Sequence, residues 1–282
     1  MNKRIRRITA VVALLLMAQS YLSNSACAQT DVALDPEFGA RVSLSVDKKL
    51  TKGLHLSLEE EIRLDDNFSS FNRLHTTLGL SYKLNEHLKL GIGYAMINPY
   101  SQSNSAFKSS CHRLMVDATA GIRFGDWRLS LKERFQATYQ SGDMNEYQKP
   151  RTVLTLKSRL KLSYKGFRSV EPYASVELRN TLNAPVISAS YDGTHYLTST
   201  LSEYGAAGWF IDSWTGIYVN RLRGSLGITY KMNKQSSFDF SILADRVIDK
   251  VVDANSEGTK LKSYTRETGF VGWLTAGYKY SF

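Results

Sequence analysis

The sequence predicts an all-β protein: a single antiparallel up-and-down transmembrane β-barrel of 10–12 strands. Three observations lead there. From Phe38 onward, apolar residues recur at every second position in one run after another, the period of a strand with one apolar face. The links between runs alternate between tight turns and long loops, the asymmetry of a barrel whose two rims differ. The last residues, "LTAGYKYSF", put Leu274, Ala276, Tyr278, Tyr280 and Phe282 on one parity, so an apolar face runs on where chain ends are more often polar and frayed.

The first 29 residues read differently. "MNKRIRRITAVVALLLMAQSYLSNSACAQ" begins with Lys3, Arg4, Arg6 and Arg7, continues through an apolar stretch from Ile8 to Met17, and reaches the small-x-small pattern Ala26-Cys27-Ala28. This is the plan of a secretory signal peptide covering 1–28, cut before Gln29, and the apolar stretch falls short of the ~20 residues that span a bilayer. A lipoprotein signal would carry an aliphatic residue where Asn24 stands. After the cut, residues 29–282 form one barrel domain with Cys111 as their single cysteine, so no internal disulfide staples them. Cys111 beside His112 is read as an inert thiol ahead of a strand.

The strands follow in order. Phe38, Ala40, Val42, Leu44 and Val46 alternate with Arg41, Ser43 and Ser45; Leu54, Leu56, Leu58, Ile62 and Leu64 carry the second run. Leu74 to Leu84 and Leu88 to Met96 give the third and fourth, and 113–124 and 127–139 the fifth and sixth. Leu154 to Tyr164, Ala174 to Leu182, Tyr218 to Tyr230, Phe238 to Ala244 and Phe270 to Phe282 complete the series. "NEH" (85–87), "GD" (125–126), "KGFRS" (165–169) and "KMNKQ" (231–235) read as tight hairpin turns. Longer links fall near 98–112, 140–150, 183–216 and 249–263. A serine recurs as each strand leaves a turn (Ser57, Ser130, Ser175, Ser241), a repetition that the hairpin repeat of a barrel explains by itself.

Many runs approach the ~9–11 residues of a bilayer-crossing strand, and their second face carries charge at successive positions. In a sandwich the apolar face would meet another sheet; here it is expected to meet lipid, with aromatics such as Tyr94, Tyr139, Tyr164, Tyr218, Tyr230, Phe238 and Phe282 as interfacial girdles. Glu60 and Glu133 fall on the lipid-facing parity. The reading adopted is a local bulge that turns each inward, with a contact between protomers as the alternative. The strands number eleven, whereas a closed bacterial barrel is expected to have an even count. Either 37–47 is not a barrel strand, giving ten, or one strand is missed, giving twelve; a hairpin hidden in 183–216 would leave the parity unchanged.

The polar face defines the candidate site. Counting outward from "GD" sets Arg123 opposite Arg128, Thr119 opposite Lys132 and Asp117 opposite Arg134. Across "KGFRS", Lys157 is set against Glu177 and Arg159 against Ser175. The lumen-lining residues are therefore Glu59, Glu61, Arg63, Arg73, His75, Lys132, Arg134, Lys157, Arg159, Glu177, Arg179, Arg221, Arg223 and Asp245. Cations outnumber carboxylates, consistent with a formal net charge of +10, and rings of Lys and Arg favour anions in a water-filled pore. The leading reading is a narrow pore with a basic lumen for small anionic solutes or oligosaccharides. The alternative is a plugged, non-conducting barrel that binds through its 183–216 loop, which carries Tyr191, His195, Tyr196, Tyr204, Trp209, Phe210 and Trp214.

An outer-membrane lipid hydrolase stands third. It would need a serine and a histidine together, and His75 near Ser69 or Ser70 is the best-placed pair. The sequence has no H-E-x-x-H, G-x-S-x-G or metal-ligand cluster, so no catalytic residue, metal or cofactor is assigned.

"LSLEEEIRL", "LHTTLGLSYKLNEHLKLGIGYAMINPY" and "NRLRGSLGITYKMNKQSSFDFSILADR" together resemble a family of small outer-membrane barrels of Gram-negative bacteria known as a domain of unknown function. The resemblance covers most of 38–282 and rests on strand–turn cadence, the Glu-x-Arg strands and the terminal aromatic. It implies an outer-membrane location and no established activity. Expected partners are outer-membrane lipid and lipopolysaccharide, an anionic solute, and the barrel-assembly machinery, which would read Tyr278, Tyr280 and Phe282. No nucleic-acid partner is expected.

Overall fold

Alternating apolar and polar residues satisfy a strand only if the two faces meet different surroundings, and eleven such strands closing on themselves provide an inside and an outside. The computed structural model describes residues 30–189, 209–256 and 261–282. The leader expected over 1–28 and the centre of the 183–216 loop lie outside the described residues. In chain order the strands are β1 (Thr30–Ala33), β2 (Glu37–Thr51), β3 (Leu54–Asp65), β4 (Ser70–Lys83), β5 (Leu88–Ser101) and β6 (Ala106–Phe107). They continue as β7 (Cys111–Phe124), β8 (Trp127–Gln140), β9 (Thr152–Tyr164), β10 (Val170–Ala189), β11 (Trp209–Lys231), β12 (Ser236–Ala254) and β13 (Leu261–Ser281).

From β2 to β13 each wall strand pairs with the next, β5 passing over β6 to β7, and β13 returns to β2 to close the ring. β6 pairs only with β5, and β1 lies beside the first part of β13, in line with β2. The wall therefore has eleven strands, and the expectation of ten or twelve is corrected. The even-number rule assumes that every neighbour is antiparallel; an odd ring must contain one parallel pair. That pair is β2–β13, running in register from Glu37–Val271 to Asp47–Ser281. The stretch 37–47 is thus a full barrel strand, and the up-and-down antiparallel pattern holds everywhere except at this seam.

Burial is inverted relative to a water-soluble domain. Leu226 is 68% exposed, Leu114 and Ile242 are each 64% exposed, whereas Asp245 is 1% exposed. An apolar belt this continuous has lipid as its natural solvent, because closed strands leave no backbone group unpaired within the bilayer. Aromatic clusters mark the turn-side rim: Trp127 stands 5.0 Å from Tyr164, which stands 5.1 Å from Phe167, and Phe238 stands 5.0 Å from Tyr278. At the loop side, Phe71, Tyr100 and Phe107 pack edge to face.

Two tight turns need backbone that only glycine adopts easily: Gly53, between β2 and β3, has φ +85°, and Gly125, in the "GD" turn, has φ +57°. On the loop side the strands run further than expected. β10 and β11 absorb both ends of the 183–216 loop, with Ala184 opposite Gly216 and Ile187 opposite Ile211, so that segment lengthens one hairpin instead of forming a separate loop from residue 183. Its β-branched residues Val186 and Ile187 favour this extension.

Candidate functional site: the charged lumen

Where the ladders run evenly, strand parity alone decides which side chains point inward. Across "GD" the expected pairs Arg123–Arg128, Thr119–Lys132 and Asp117–Arg134 are the observed ones. Across "KGFRS" the register differs: Arg159 faces Glu177, Lys157 faces Arg179, and Lys161 faces Ser175. The β9–β10 ladder begins only at Ser163–Tyr173, beyond Pro172, which has no N–H to donate. The shift is two residues, so the inward set is preserved; a shift of one would have turned every charge to lipid.

All fourteen predicted lumen positions have inward parity, and ten of them gather into three groups. On the seam side, Asp245 accepts from Arg223 Nε at 2.6 Å and Nη2 at 2.7 Å. Arg221 and Arg41 approach the same carboxylate at 3.8 and 4.0 Å, and Glu177 lies 4.0 Å from Arg223. On β3 and β4, Arg63 donates to Glu61 (Nε at 2.6 Å), and His75 Nδ1 lies 4.0 Å from the same oxygen. Arg73 faces Arg63 across the ladder. On β7 and β8, Asp117 holds Arg134 through two bonds of 2.5 and 2.6 Å and Lys132 at 2.8 Å.

Sequence reasoning left Arg41, Arg113, Tyr173 and Asp239 out of the site. Arg41 bridges β2 to Asp245 and stacks over Trp273, 4.1 Å from the ring centroid; the Trp273 ring fills the space that a Cβ on Gly39 would need. Its signal is the polar parity of the first strand, which an expected even strand count sets aside. Arg113 donates to Thr138 Oγ1 at 2.9 Å. Lys161 sits 3.4 Å over the Tyr173 ring, and Tyr173 and Thr229 both donate to Asp239 at 2.7 Å.

Three cavities share this lining. The largest, about 460 Å³, reaches from Asp47 and Lys279 at the turn side to His75 and Arg113. A second, about 310 Å³, lies beside the seam against Arg41, Tyr173 and Asp239. A third, about 200 Å³, touches both sets. On the loop side, Asn145 and Gln148 of the β8–β9 connection donate to the Ala254 carbonyl at 2.9 and 3.0 Å, and Gln148 also donates to Asp253 at 2.8 Å. Two rim segments three strands apart are thereby tied together.

Other expectations are corrected or relocated. Glu60 and Glu133 stay on the lipid-facing parity, because no bulge interrupts their ladders at either position. A hydroxyl on the next strand meets each one: Thr76 donates to Glu60 at 3.0 Å and Ser158 to Glu133 at 2.6 Å. A bulge does occur at Asn220, where the β10–β11 register skips a residue; it turns Tyr218 inward, its hydroxyl accepting from Lys250 N, so Tyr218 is not a girdle residue. Cys111 and His112 point to opposite faces, and His112 meets Tyr94 OH at 2.6 Å. Ser69 and Ser70 both turn to Asp66, not to His75.

A search of curated proteins found no match. Among solved structures, the outer-membrane expressed OmpT of Vibrio cholerae aligns at 8% identity and TM-score 0.33, over 76% of this chain and 60% of its own. The chain thus spans less than two thirds of that relative. The NanC porin aligns at 12% identity and TM-score 0.40, over 81% of this chain and 92% of its own. Residues 38–250 match the family described as "Protein of unknown function (DUF2490)", and the chain, an outer-membrane-type β-barrel, belongs to that family.

Proposed function

We propose that this chain is a narrow conduit in the outer membrane of a Gram-negative bacterium, passing small anionic solutes, acidic oligosaccharides among them. One observation carries the reading. Arg73, Arg113, Lys157, Arg159, Lys161 and Arg179 have no carboxylate within 4 Å among the described residues, whereas Glu61, Asp117, Glu177 and Asp245 each have a cationic partner. A lumen with spare positive charge concentrates anions and repels cations. Eleven strands also fall between the roughly eight that side chains just fill and the sixteen or more that leave an open channel, and the cavities described above fit that middle range.

The test is single-channel recording of the refolded protein in a planar bilayer, with folding verified by heat-modifiable gel migration. Discrete steps with an anion-preferring reversal potential in a KCl gradient support the proposal; cation preference overturns it. The bonds from Asn145 and Gln148 to Ala254 and Asp253 favour a second reading, a barrel closed at its loop side that binds without conducting. Silence from folded protein would select that reading.

A further inference from the structure

The smallest of the three cavities is the most unusual in its chemistry. Its lining is Lys132, Arg134, Lys157, Arg159 and Glu177 and nothing else. The four cations sit on two adjacent strands, with Lys132 opposite Arg159 and Arg134 opposite Lys157. Like charges directly opposite in a ladder are destabilising, so the fold itself gains nothing from this arrangement. Asp117 neutralises part of it by binding Lys132 and Arg134. Glu177 is oriented toward Arg223, 4.0 Å away, and its Oε1 is buried without a hydrogen-bond partner. Lys157 and Arg159 have no carboxylate within 4 Å among the described residues. Within the lining and its ion pairs, four positive charges accompany two negative ones, and Lys157 and Arg159 are left without an ion-pair partner among the described residues.

We propose that this cavity is a binding subsite for a dianionic oxyanion group, the phosphate monoester of a small solute being the best chemical match. Two charges complete the balance, where a single carboxylate would supply half of it. Arginine offers paired donors to oxyanions and lysine a mobile point charge, so the lining provides both kinds of contact. The volume lies below the 300–1,000 Å³ usual for whole small-molecule sites, which fits a head group whose remainder extends into the adjoining cavities. Lys132, Arg134 and Lys157 also line the largest cavity, and Arg159 and Glu177 line the seam-side one, so the subsite opens onto both. This inference deepens the anion-conduit reading and rests on it.

The experiment is calorimetric titration of the refolded full barrel in detergent with inorganic phosphate at about pH 8, where phosphate is dianionic, beside acetate and chloride. Phosphate is expected to bind at least tenfold more tightly than acetate. Lys157→Gln and Arg159→Gln, each checked for folding by heat-modifiable migration, are each expected to weaken phosphate about tenfold. Arg128→Gln, at the turn end and outside this lining, is expected to leave it unchanged. Phosphate binding no tighter than acetate, or binding unaltered in whichever of the two lining variants folds, overturns the subsite. Binding is read without conduction, so the two proposals fail separately. An anion-selective pore that ignores phosphate removes only the subsite, and a silent barrel that binds phosphate removes only the pore.

Discussion

Replacing Asp245 with asparagine should destabilise this barrel more than any other single loss of a lumen charge. The side chain is 1% exposed. It accepts two short bonds from Arg223, and two more guanidinium groups, from Arg221 and Arg41, stand within 4.0 Å. Unit charges 4 Å apart at an effective dielectric of 20 attract by about 4 kcal/mol, part of which desolvation and repulsion among the three arginines cancel. Asparagine keeps the shape and one acceptor but removes the charge that holds those arginines together. Breaking a buried pair from one side typically costs about 3–5 kcal/mol. We therefore expect the unfolding free energy, measured by urea titration of protein folded into lipid vesicles and followed by tryptophan fluorescence, to fall by about 3 kcal/mol or more. Adding Arg221→Gln to the same background should restore at least ~1 kcal/mol, because it removes one uncompensated cation. A loss below about 1 kcal/mol, or a double variant weaker than the single, would refute the reasoning and mean that lumen water already solvates the cluster.

Three further outcomes follow. Glu133→Leu removes a carboxyl group from the lipid-facing wall and should stabilise the barrel by about 1–2 kcal/mol in the same titration, since a lipid-facing carboxylate is unfavourable though less so than Arg or Lys; a destabilised variant would point to a partner on that wall. Deleting Phe282, whose N–H donates to Asp47 and whose carbonyl accepts from Lys49, should lower the amount of heat-modifiable protein recovered from outer membranes, and unchanged recovery would count against a terminal assembly signal. An epitope placed before Thr30 should be labelled on intact cells and one after Phe282 should not, because β1 starts at the loop side and β13 ends at the turn side; labelling of both or neither contradicts the eleven-strand ring.

Much of the wall was legible because a bilayer-facing strand advertises itself twice, through apolar residues on one parity and charge on the other. That is why the parity of Glu59, Arg134 and Arg223 could be read without coordinates. What escaped lay in relations between distant segments. The parallel pairing of β2 with β13 leaves no local mark, since Phe38 to Val46 alternates as any strand does. The two-residue error at β9–β10 came from treating five residues as the whole turn when Pro172 delays the ladder. The bulge at Asn220 has no turn signal, and it moved Tyr218 from the girdle to the interior. Glu60 and Glu133 escape because a carboxylate toward lipid is unfavourable on its own; Thr76 and Ser158, one strand away, supply the hydroxyls that make it tolerable, and register alone reveals such partners.

The parallel seam also sets how the wall can come apart. Every other neighbouring pair in the ring is consecutive along the chain, so its strands stay tethered when their hydrogen bonds break. At the seam, Glu37 and Val271 meet from about 230 residues apart. Joining so long a loop costs about 3 kcal/mol more than closing a ten-residue hairpin, at ~0.6 kcal/mol for each doubling of length. The ring thus has one line of lowest cohesion running the height of the bilayer. Across it lie the Asp47–Lys279 contact, the stacking of Arg41 on Trp273 and the main-chain bonds of Phe282. A barrel of this build is a sheet rolled into a tube and fastened along one edge. Unfastened, it would open sideways into lipid before either rim gave way.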